Sequence, residues 1–175
     1  MPSRCVKSSS GSREINDLFS SLLICEMLKP SARFWLFSPW ISDTVIVDNR
    51  YKAVSAFFPQ IKGPVRLADV IAFLSKKGSK IKMVTTKDSE AGEGTERFLR
   101  RIKEIAPFTE VRYDTNLHEK GVLTDNFYLA GSMNFTYNGL NIKRESIFLS
   151  TDKSQIASQN ISFAAYWDSL KKEKL

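Results

Sequence analysis

Segments with a helical hydrophobic period alternate with short apolar runs along this chain, and this alternation restricts the fold more than any other feature. Between Glu14 and Pro30 the apolar residues mostly recur with the period of a helix, for which Ser12 is the predicted cap. The stretch ARFWLFSPWI follows and predicts a buried strand at Phe34 to Phe37. A helix from Leu67 to Gly78 and the strand KIKMVTT repeat this order. The pattern is typical of an α/β fold.

The second half of the chain continues the alternation. A polar loop, KDSEAGEGTE, leads into a helix with Thr95 as its predicted cap, and EVRYD is the next strand. HEKGVLT and FYLAG predict a hairpin joined by Asp125-Asn126, two residues that tolerate the left-handed conformation. ESIFLS adds a strand, and a closing helix around Trp167 precedes a Lys-rich tail. Helices and a hairpin in this order predict an α/β/α sandwich around a mixed β-sheet.

Two segments lack a clear period. Residues 1–12 are rich in serine, and we expect them to form a flexible N-terminal segment before a single domain over residues 13–175. Residues 43–66 contain only a short apolar run and unevenly spaced aromatic residues, which predicts an irregular insertion.

The net charge indicates which partners suit the chain. Lys and Arg number 26 against 19 Asp and Glu, giving +7 and a pI near 9.4. Nucleic acid is the first polyanion to consider and anionic lipid the second, although solvated surface charge gives the same total. Arg97, Arg100 and Arg101 lie on the outer face of one predicted helix, as substrate-binding candidates or as an ordinary solvated face.

Cysteine usage and hydropathy point to the compartment. Cys5 and Cys25 form no CxxC pair and have no histidine spaced to complete a zinc set, so we predict no metal site. Two such cysteines suit a reducing cytosol, with Cys25 expected to be buried on the first helix. The sequence shows neither a signal peptide nor a run of membrane-spanning length. We therefore expect a cytoplasmic protein without stable membrane association.

His118 is the only histidine among the 175 residues. A lone histidine is more often structural than catalytic, so its neighbours have to decide. In an extended strand His118 and Lys120 project to the same face, and the predicted hairpin returns Ser132 and Asn134 to the start of that strand. Lys120, Ser132 and Asn134 can all donate to phosphate oxygens, and Gly131 would let backbone approach a ligand closely.

These spacings carry a family resemblance. His118-x-Lys120-(x)4-Asp125 followed by Gly131-Ser132-x-Asn134 resembles the HKD signature of the phospholipase D superfamily, although one residue is missing between Asp125 and Gly131. The early FWLFSPWISD is similar to the family's strand ending in Ser-Pro-aromatic, and NGLNIKRES places Asn141 and Glu145 as in bacterial single-HKD nucleases. Because of the missing residue, we read Asp125 mainly as a turn residue.

The resemblance implies a mechanism and an assembly. His118 would attack phosphorus to give a phosphohistidine, and Glu145 would orient its ring. Lys120 and Asn134, helped by Ser132, would hold the phosphate oxygens, so no cofactor is implied. A second HKD histidine serves as the general acid in this family, and with no repeat visible in the sequence it would come from the second copy of a homodimer.

We therefore predict a metal-independent phosphodiesterase that cleaves nucleic acid, DNA in preference to RNA. The alternatives are a phospholipase or phosphatidyl transferase, with residues 43–66 as the only apolar surface for acyl chains, and a nucleic-acid-binding subunit of a larger complex. Similarity to proteins of bacterial restriction and antiviral defence suggests that setting. Ser38, at the end of the early strand, is a substrate-binding candidate, while Phe37 and Trp40 are expected in the core.

Overall fold

Strands and helices alternate along the part of the chain that the computed structural model describes, residues 3–9, 11, 13–87 and 92–170. The strands there are β1 (Ser3–Lys7), β2 (Arg33–Phe37), β3 (Val45–Asp48), β4 (Pro64–Arg66), β5 (Lys80–Thr85), β6 (Glu110–Tyr113), β7 (Gly121–Thr124), β8 (Tyr128–Gly131) and β9 (Ser146–Ser150). The helices are α1 (Glu14–Leu28), α2 (Leu67–Lys76), α3 (Gly92–Ile105), α4 (Tyr137–Asn141) and α5 (Lys153–Ser169).

Seven of these strands form one mixed sheet in the order β1-β9-β8-β7-β2-β5-β6. β2, β5 and β6 are parallel, and α2 and α3 lie in the long connections that such pairing needs. β7 lies antiparallel between β2 and β8, and β9 lies antiparallel between β8 and β1. The predicted mixed sheet is confirmed, and its hairpin lies near the centre.

Helices cover both faces of the sheet. On β2, Phe34 and Leu36 belong to the core beneath α1, α2 and α3, while Trp35 and Phe37 belong to the core beneath α5. The rings of Phe37 and Phe163 stack with centroids 4.2 Å apart. This two-sided burial explains why the strand is an uninterrupted apolar run, and it confirms the α/β/α sandwich.

The N-terminal segment corrects one expectation. Residues 3–7, which we expected to be flexible, form edge strand β1 in register with β9, from Ser3 opposite Ser150 to Lys7 opposite Ser146. The side chains of β1 are mostly exposed, so backbone hydrogen bonds hold the strand without a hydrophobic pattern. Hydrophobic periodicity therefore does not predict this strand. The predicted cap Ser12 lies outside the described residues.

The predicted irregular insertion, residues 43–66, contains a small antiparallel sheet of β3 and β4. Buried Asn49 organises the loop between them: its Nδ2 donates to the carbonyl of Ile61 at 2.7 Å, and its Oδ1 accepts from the backbone of Val54 at 2.9 Å. One polar side chain thus satisfies loop backbone groups, which a search for hydrophobic periods does not detect.

Three local predictions are also wrong. Thr95 does not cap α3 but lies inside it, where its buried hydroxyl accepts from the backbone of Ile41 at 3.2 Å. Cys25, which we expected to be buried, is exposed on α1. The predicted strand HEKGVLT starts later than expected, because β7 begins at Gly121 and His118 precedes it.

The two-residue connection of the hairpin is confirmed, because Thr124 pairs with Phe127 across it. Neither Asp125 nor Asn126 has the positive φ that we expected. The Thr124 hydroxyl accepts from the backbone of Asn126 and of Phe127 instead, each at 3.1 Å.

The predicted Lys-rich tail, residues 171–175, and residues 88–91 of the predicted polar loop also lie outside the described residues. Within the described part of the chain, no helix has both the length and the apolar character needed to cross a lipid bilayer.

Gly131 is required by packing against β9. A Cβ atom there would lie 2.2 Å from the carbonyl oxygen of Ser146 and 2.8 Å from the Cα of Ile147, both of them backbone atoms. We expect Gly131→Ala to lower the free energy of unfolding by about 1–3 kcal/mol, the usual cost of overpacking. Gly63→Ala is the control, since a Cβ at Gly63 meets nothing within 4 Å. Urea unfolding of both variants measures the difference, and equal stabilities would contradict the packing argument.

Candidate active site

Four residues of the predicted HKD signature meet at one end of the sheet: His118, Lys120, Ser132 and Asn134. β2 ends where β7 begins, because Phe37 lies opposite Gly121, and β8 ends at the same edge, where the backbone of Gly131 donates to the carbonyl of Lys120 at 3.2 Å. The residues just before β7 and just after β2 and β8 therefore face a common space. That space is a cavity of about 310 Å³ lined by His118, Lys120, Ser132, Asn134 and Glu145, among others.

His118 is exposed, and Lys120 beside it is nearly buried. The ammonium of Lys120 donates to the carbonyl of His118 at 2.6 Å and lies 3.4 Å from Nδ1 of its ring. Burial lowers the pKa of Lys120 below its ordinary value, and the negative charge of nearby Glu145 offsets part of this effect. A second negative charge close to Lys120 would raise its pKa again, so the ammonium suits an anionic ligand.

Glu145 is held in place by two serines. The hydroxyl of Ser132 donates to its carboxylate, and that hydroxyl also accepts from the backbone of Ser146 at 3.0 Å. On the other side, the backbone N–H of Glu145 donates to the hydroxyl of Ser8 at 3.0 Å, and the Ser8 N–H donates to the carbonyl of Glu145 at 3.0 Å. The segment after β1 therefore holds the backbone of a carboxylate that lines the cavity, a role that the expectation of a flexible N-terminus did not include.

The arrangement of Ser132 and Glu145 differs from their predicted roles. The proton of the Ser132 hydroxyl is donated to Glu145, so in this arrangement Ser132 positions the carboxylate and has no proton to give to a phosphate. Within the described chain, no hydrogen bond joins Glu145 to His118. The orienting contact predicted for this pair is therefore not formed inside one chain.

Asn134 is oriented by Ser38. The buried Ser38 hydroxyl lies 2.8 Å from the carbonyl of Trp40 and 3.3 Å from Oδ1 of Asn134, and it can donate its single proton to either oxygen. With Oδ1 turned toward Ser38, Nδ2 of Asn134 is the group left to donate to a ligand. Ser38, predicted to bind substrate, is fully buried and acts on Asn134 instead.

Gly139 is a further positioning residue that sequence reasoning missed. A Cβ atom at Gly139 would lie 2.3 Å from the carbonyl oxygen of Asn134, so the start of α4 packs directly against the backbone that carries the amide.

The remaining cavity wall consists of residues that sequence reasoning did not assign to the site. Trp40, which we expected in the core, is 40% exposed and lines the cavity, whereas Phe37 is buried as predicted. Lys143 adds a second cation to the lining. A tryptophan directly after Ser-Pro and a lysine two residues before Glu145 were the available signals. The other lining residues are Pro39, Thr86, Thr115 and Leu117.

The arginines of α3 lie outside the cavity lining. Arg101 forms ion pairs with Asp43 and Asp69, which tie α3 to α2 and the loop after β2. Arg97 pairs with Glu93 on the surface at 2.5 Å, and Arg100 is exposed. The cavity lining therefore includes none of these three arginines, and their binding of substrate stays a prediction.

Asp125 lies at the opposite end of β7 from His118. Its carboxylate accepts from the backbone of Ala32 at 2.7 Å and from Nε of Arg33 at 2.6 Å. These contacts fit the structural reading of Asp125, because they tie the hairpin turn to the start of β2.

Among the described residues, no cluster of three His, Cys, Asp or Glu side chains could hold a metal ion. Asn141, the other residue carried by the resemblance, donates from Nδ2 to the carbonyl of Tyr137 at 3.1 Å and does not line this cavity.

Comparisons with known proteins bear on the family and the fold. A family model described as "Cardiolipin synthase, PLD-like domain" matches residues 34–167. Nuc of Salmonella typhimurium, a phospholipase D family member, superposes with a TM-score of 0.66 at 14% identity, covering 99% of this chain and 98% of that one. NucT of Helicobacter pylori gives 0.65 at 12% identity, covering 98% of both chains. Phosphatidylserine synthase of Haemophilus influenzae gives 0.63 at 15% identity, covering 98% of this chain and 40% of that one. Comparison with curated protein sequences gives no match.

Proposed function

This chain belongs to the phospholipase D superfamily, and from the chemistry of its cavity we propose that it is a nuclease, cleaving DNA in preference to RNA. The observation that carries the proposal is an exposed imidazole sharing a polar cavity with an ammonium, an amide and a carboxylate, on His118, Lys120, Asn134 and Glu145. A phosphodiester is an anion whose cleavage needs a nucleophile and donors for its oxygens. The cavity offers both.

In the proposed reaction the His118 imidazole attacks phosphorus, and the bond from phosphorus to one ester oxygen breaks. The leaving oxygen takes a proton from a general acid on the opposite side of the phosphate. Lys120 and Nδ2 of Asn134 hold the phosphate oxygens, and the negative charge of Glu145 stabilises the imidazolium that forms. Water then attacks the phosphohistidine and gives a proton to the group that served as general acid, while the bond from phosphorus to His118 breaks and the second product leaves.

The need for a general acid is what points to a partner chain. The chain has one histidine, and we propose that a second copy supplies its own His118 across a two-fold axis. Tyr137 and Ile142 support such an interface: they lie at the ends of α4, close to Asn134 in the chain, and are 61% and 46% exposed. In this dimer each Glu145 orients one of the two imidazoles.

The surface favours a nucleic acid over a lipid. The chain carries a net charge of +7, and both Lys143 and Lys120 line the cavity. Phe57 and Phe58, which the lipid hypothesis assigned to acyl chains, pack against Phe73 of α2 with ring centroids 5.5 and 5.6 Å away. Neither phenylalanine lines the cavity that holds His118. The cytoplasmic location and the role in bacterial defence stay predictions.

Purified protein should cut labelled DNA in the presence of EDTA, because Lys120 and Asn134 are proposed to do the work of a metal ion. Lys120→Met should lower the rate on the order of 10²-fold or more, the effect of deleting a donor to developing charge. Lys76→Met, an exposed lysine on α2 outside the cavity lining, is the matched control and should keep the wild-type rate. RNA and phosphatidylcholine vesicles are assayed in parallel. Turnover of lipid without cutting of DNA would overturn the proposal, and so would activity that EDTA abolishes and magnesium restores.

The shared site can be tested with mixed dimers. Differently tagged wild-type and His118→Asn chains are co-expressed, and the dimers carrying both tags are purified. We expect these dimers to be almost inactive, because the common site has lost one of its two histidines. About half the wild-type rate, as two independent sites would give, would contradict the composite site.

A further inference from the structure

Trp40 keeps a large part of its surface exposed on the cavity wall. It is 40% exposed, whereas the other two tryptophans, Trp35 and Trp167, are 5% and 2% exposed in the core beneath α5. Contact of a large aromatic face with water is unfavourable, and folding removes most such faces from water. An aromatic side chain left exposed inside a polar cavity is therefore a candidate for contact with a ligand.

The backbone that carries this indole is fixed from both sides. The carbonyl of Pro39 accepts from the hydroxyls of Thr85 and Thr86, each at 2.9 Å. The hydroxyl of Ser38 lies 2.8 Å from the carbonyl of Trp40 and 3.3 Å from Oδ1 of Asn134, so the same serine contacts both segments. The backbone at Trp40 thus stands at a set position relative to the amide proposed to hold the phosphate. An indole turns about only two side-chain bonds, so it loses little conformational entropy when a ligand covers it.

The surroundings of Trp40 decide what kind of group would cover it. Besides Trp40, the apolar side chains of the cavity lining are Pro39 and Leu117, and Leu117 is only 6% exposed. An acyl chain would need a longer apolar groove than these residues provide. Lys120 and Lys143 supply positive charge in the same cavity. A flat ring attached to phosphates fits this combination, because every nucleobase offers a π-face while its backbone offers negative charge.

We propose that Trp40 is a stacking platform for a nucleobase next to the phosphate that His118 attacks, and that the substrate is therefore a nucleic-acid strand with unpaired bases. Within a duplex both faces of a base are covered by its neighbours, so the indole can stack only on a base that has left the helix. Trp40 is a substrate-binding residue in this account, and the inference rests on the proposed nuclease function.

The test uses an end-labelled single DNA strand in which a central run of residues carries stable abasic sugars, with every phosphate kept. Cut positions are mapped on a denaturing gel. Wild-type protein should cut the base-bearing flanks faster than the abasic run by on the order of 5- to 100-fold, the range expected for loss of one base–aromatic stack. Annealing the complementary strand should slow cutting of the flanks.

Three variants assign the contrast to the indole. Trp40→Ala should slow cutting of the flanks by the same factor and leave the abasic run unchanged, so the contrast disappears. Trp40→Phe should keep most of the contrast. Phe108→Ala is the matched control, because Phe108 is an aromatic residue 87% exposed outside the cavity, and this variant should behave as wild type.

Equal cutting of the flanks and the abasic run by wild-type protein would overturn the stacking role and leave the nuclease proposal standing. This comparison needs no variant, so it holds even if Trp40→Ala fails to fold. A contrast that persists unchanged in Trp40→Ala would also overturn it. If wild-type protein cuts the strand nowhere, the nuclease proposal fails, and the stacking role falls with it.

Discussion

The antiparallel pairing of β7 with β2 on one side and β8 on the other is the constraint on which the candidate site depends. It places Phe37 opposite Gly121 and Gly121 opposite Ala130, so one strand begins where two others end. His118 and Lys120, which precede β7, therefore stand beside the residues that follow β2 and β8. A slip of one residue in either pairing would turn alternate side chains to the other face of the sheet and separate these groups.

Around this junction the side chains hold one another through contacts between distant parts of the chain. Ser38, which follows β2, fixes the amide of Asn134, and Ser8, which follows β1, fixes the backbone of Glu145. Residues without a proposed role in the reaction thus help to hold the residues of the candidate site in place. Electrostatics also act within the site. Burial lowers the pKa of Lys120, and the negative charge of Glu145 offsets only part of this effect. A phosphate would complete that compensation, which links the packing of the site to the class of ligand proposed for it.

Hydrophobic patterns predicted the sandwich and the mixed sheet, and the HKD spacing predicted that His118, Lys120, Ser132 and Asn134 lie together, because these patterns can be read from short stretches of sequence. Contacts made by single polar groups were not predictable in that way. β1 is held by backbone hydrogen bonds with exposed side chains, so its residues carry no strand pattern. Ser38 and Ser8 act through hydrogen bonds to residues 96 and 137 positions away in the chain, and no pattern of residue spacing predicts such contacts. The prediction that Trp40 lies in the core was wrong for a related reason. Apolar side chains are buried on average, and a partly exposed tryptophan on a cavity wall is an exception.

The central claim is that His118 forms a covalent bond to phosphorus, and the stereochemical course of the reaction tests it most directly. A DNA strand with one phosphorothioate of known configuration is cleaved in isotopically labelled water, and the configuration of the product is determined. Two successive in-line displacements, first by His118 and then by water, each invert the phosphorus centre. The account therefore predicts net retention of configuration. Net inversion would mean that water attacks the substrate directly, and it would contradict the phosphohistidine intermediate and the role assigned to His118.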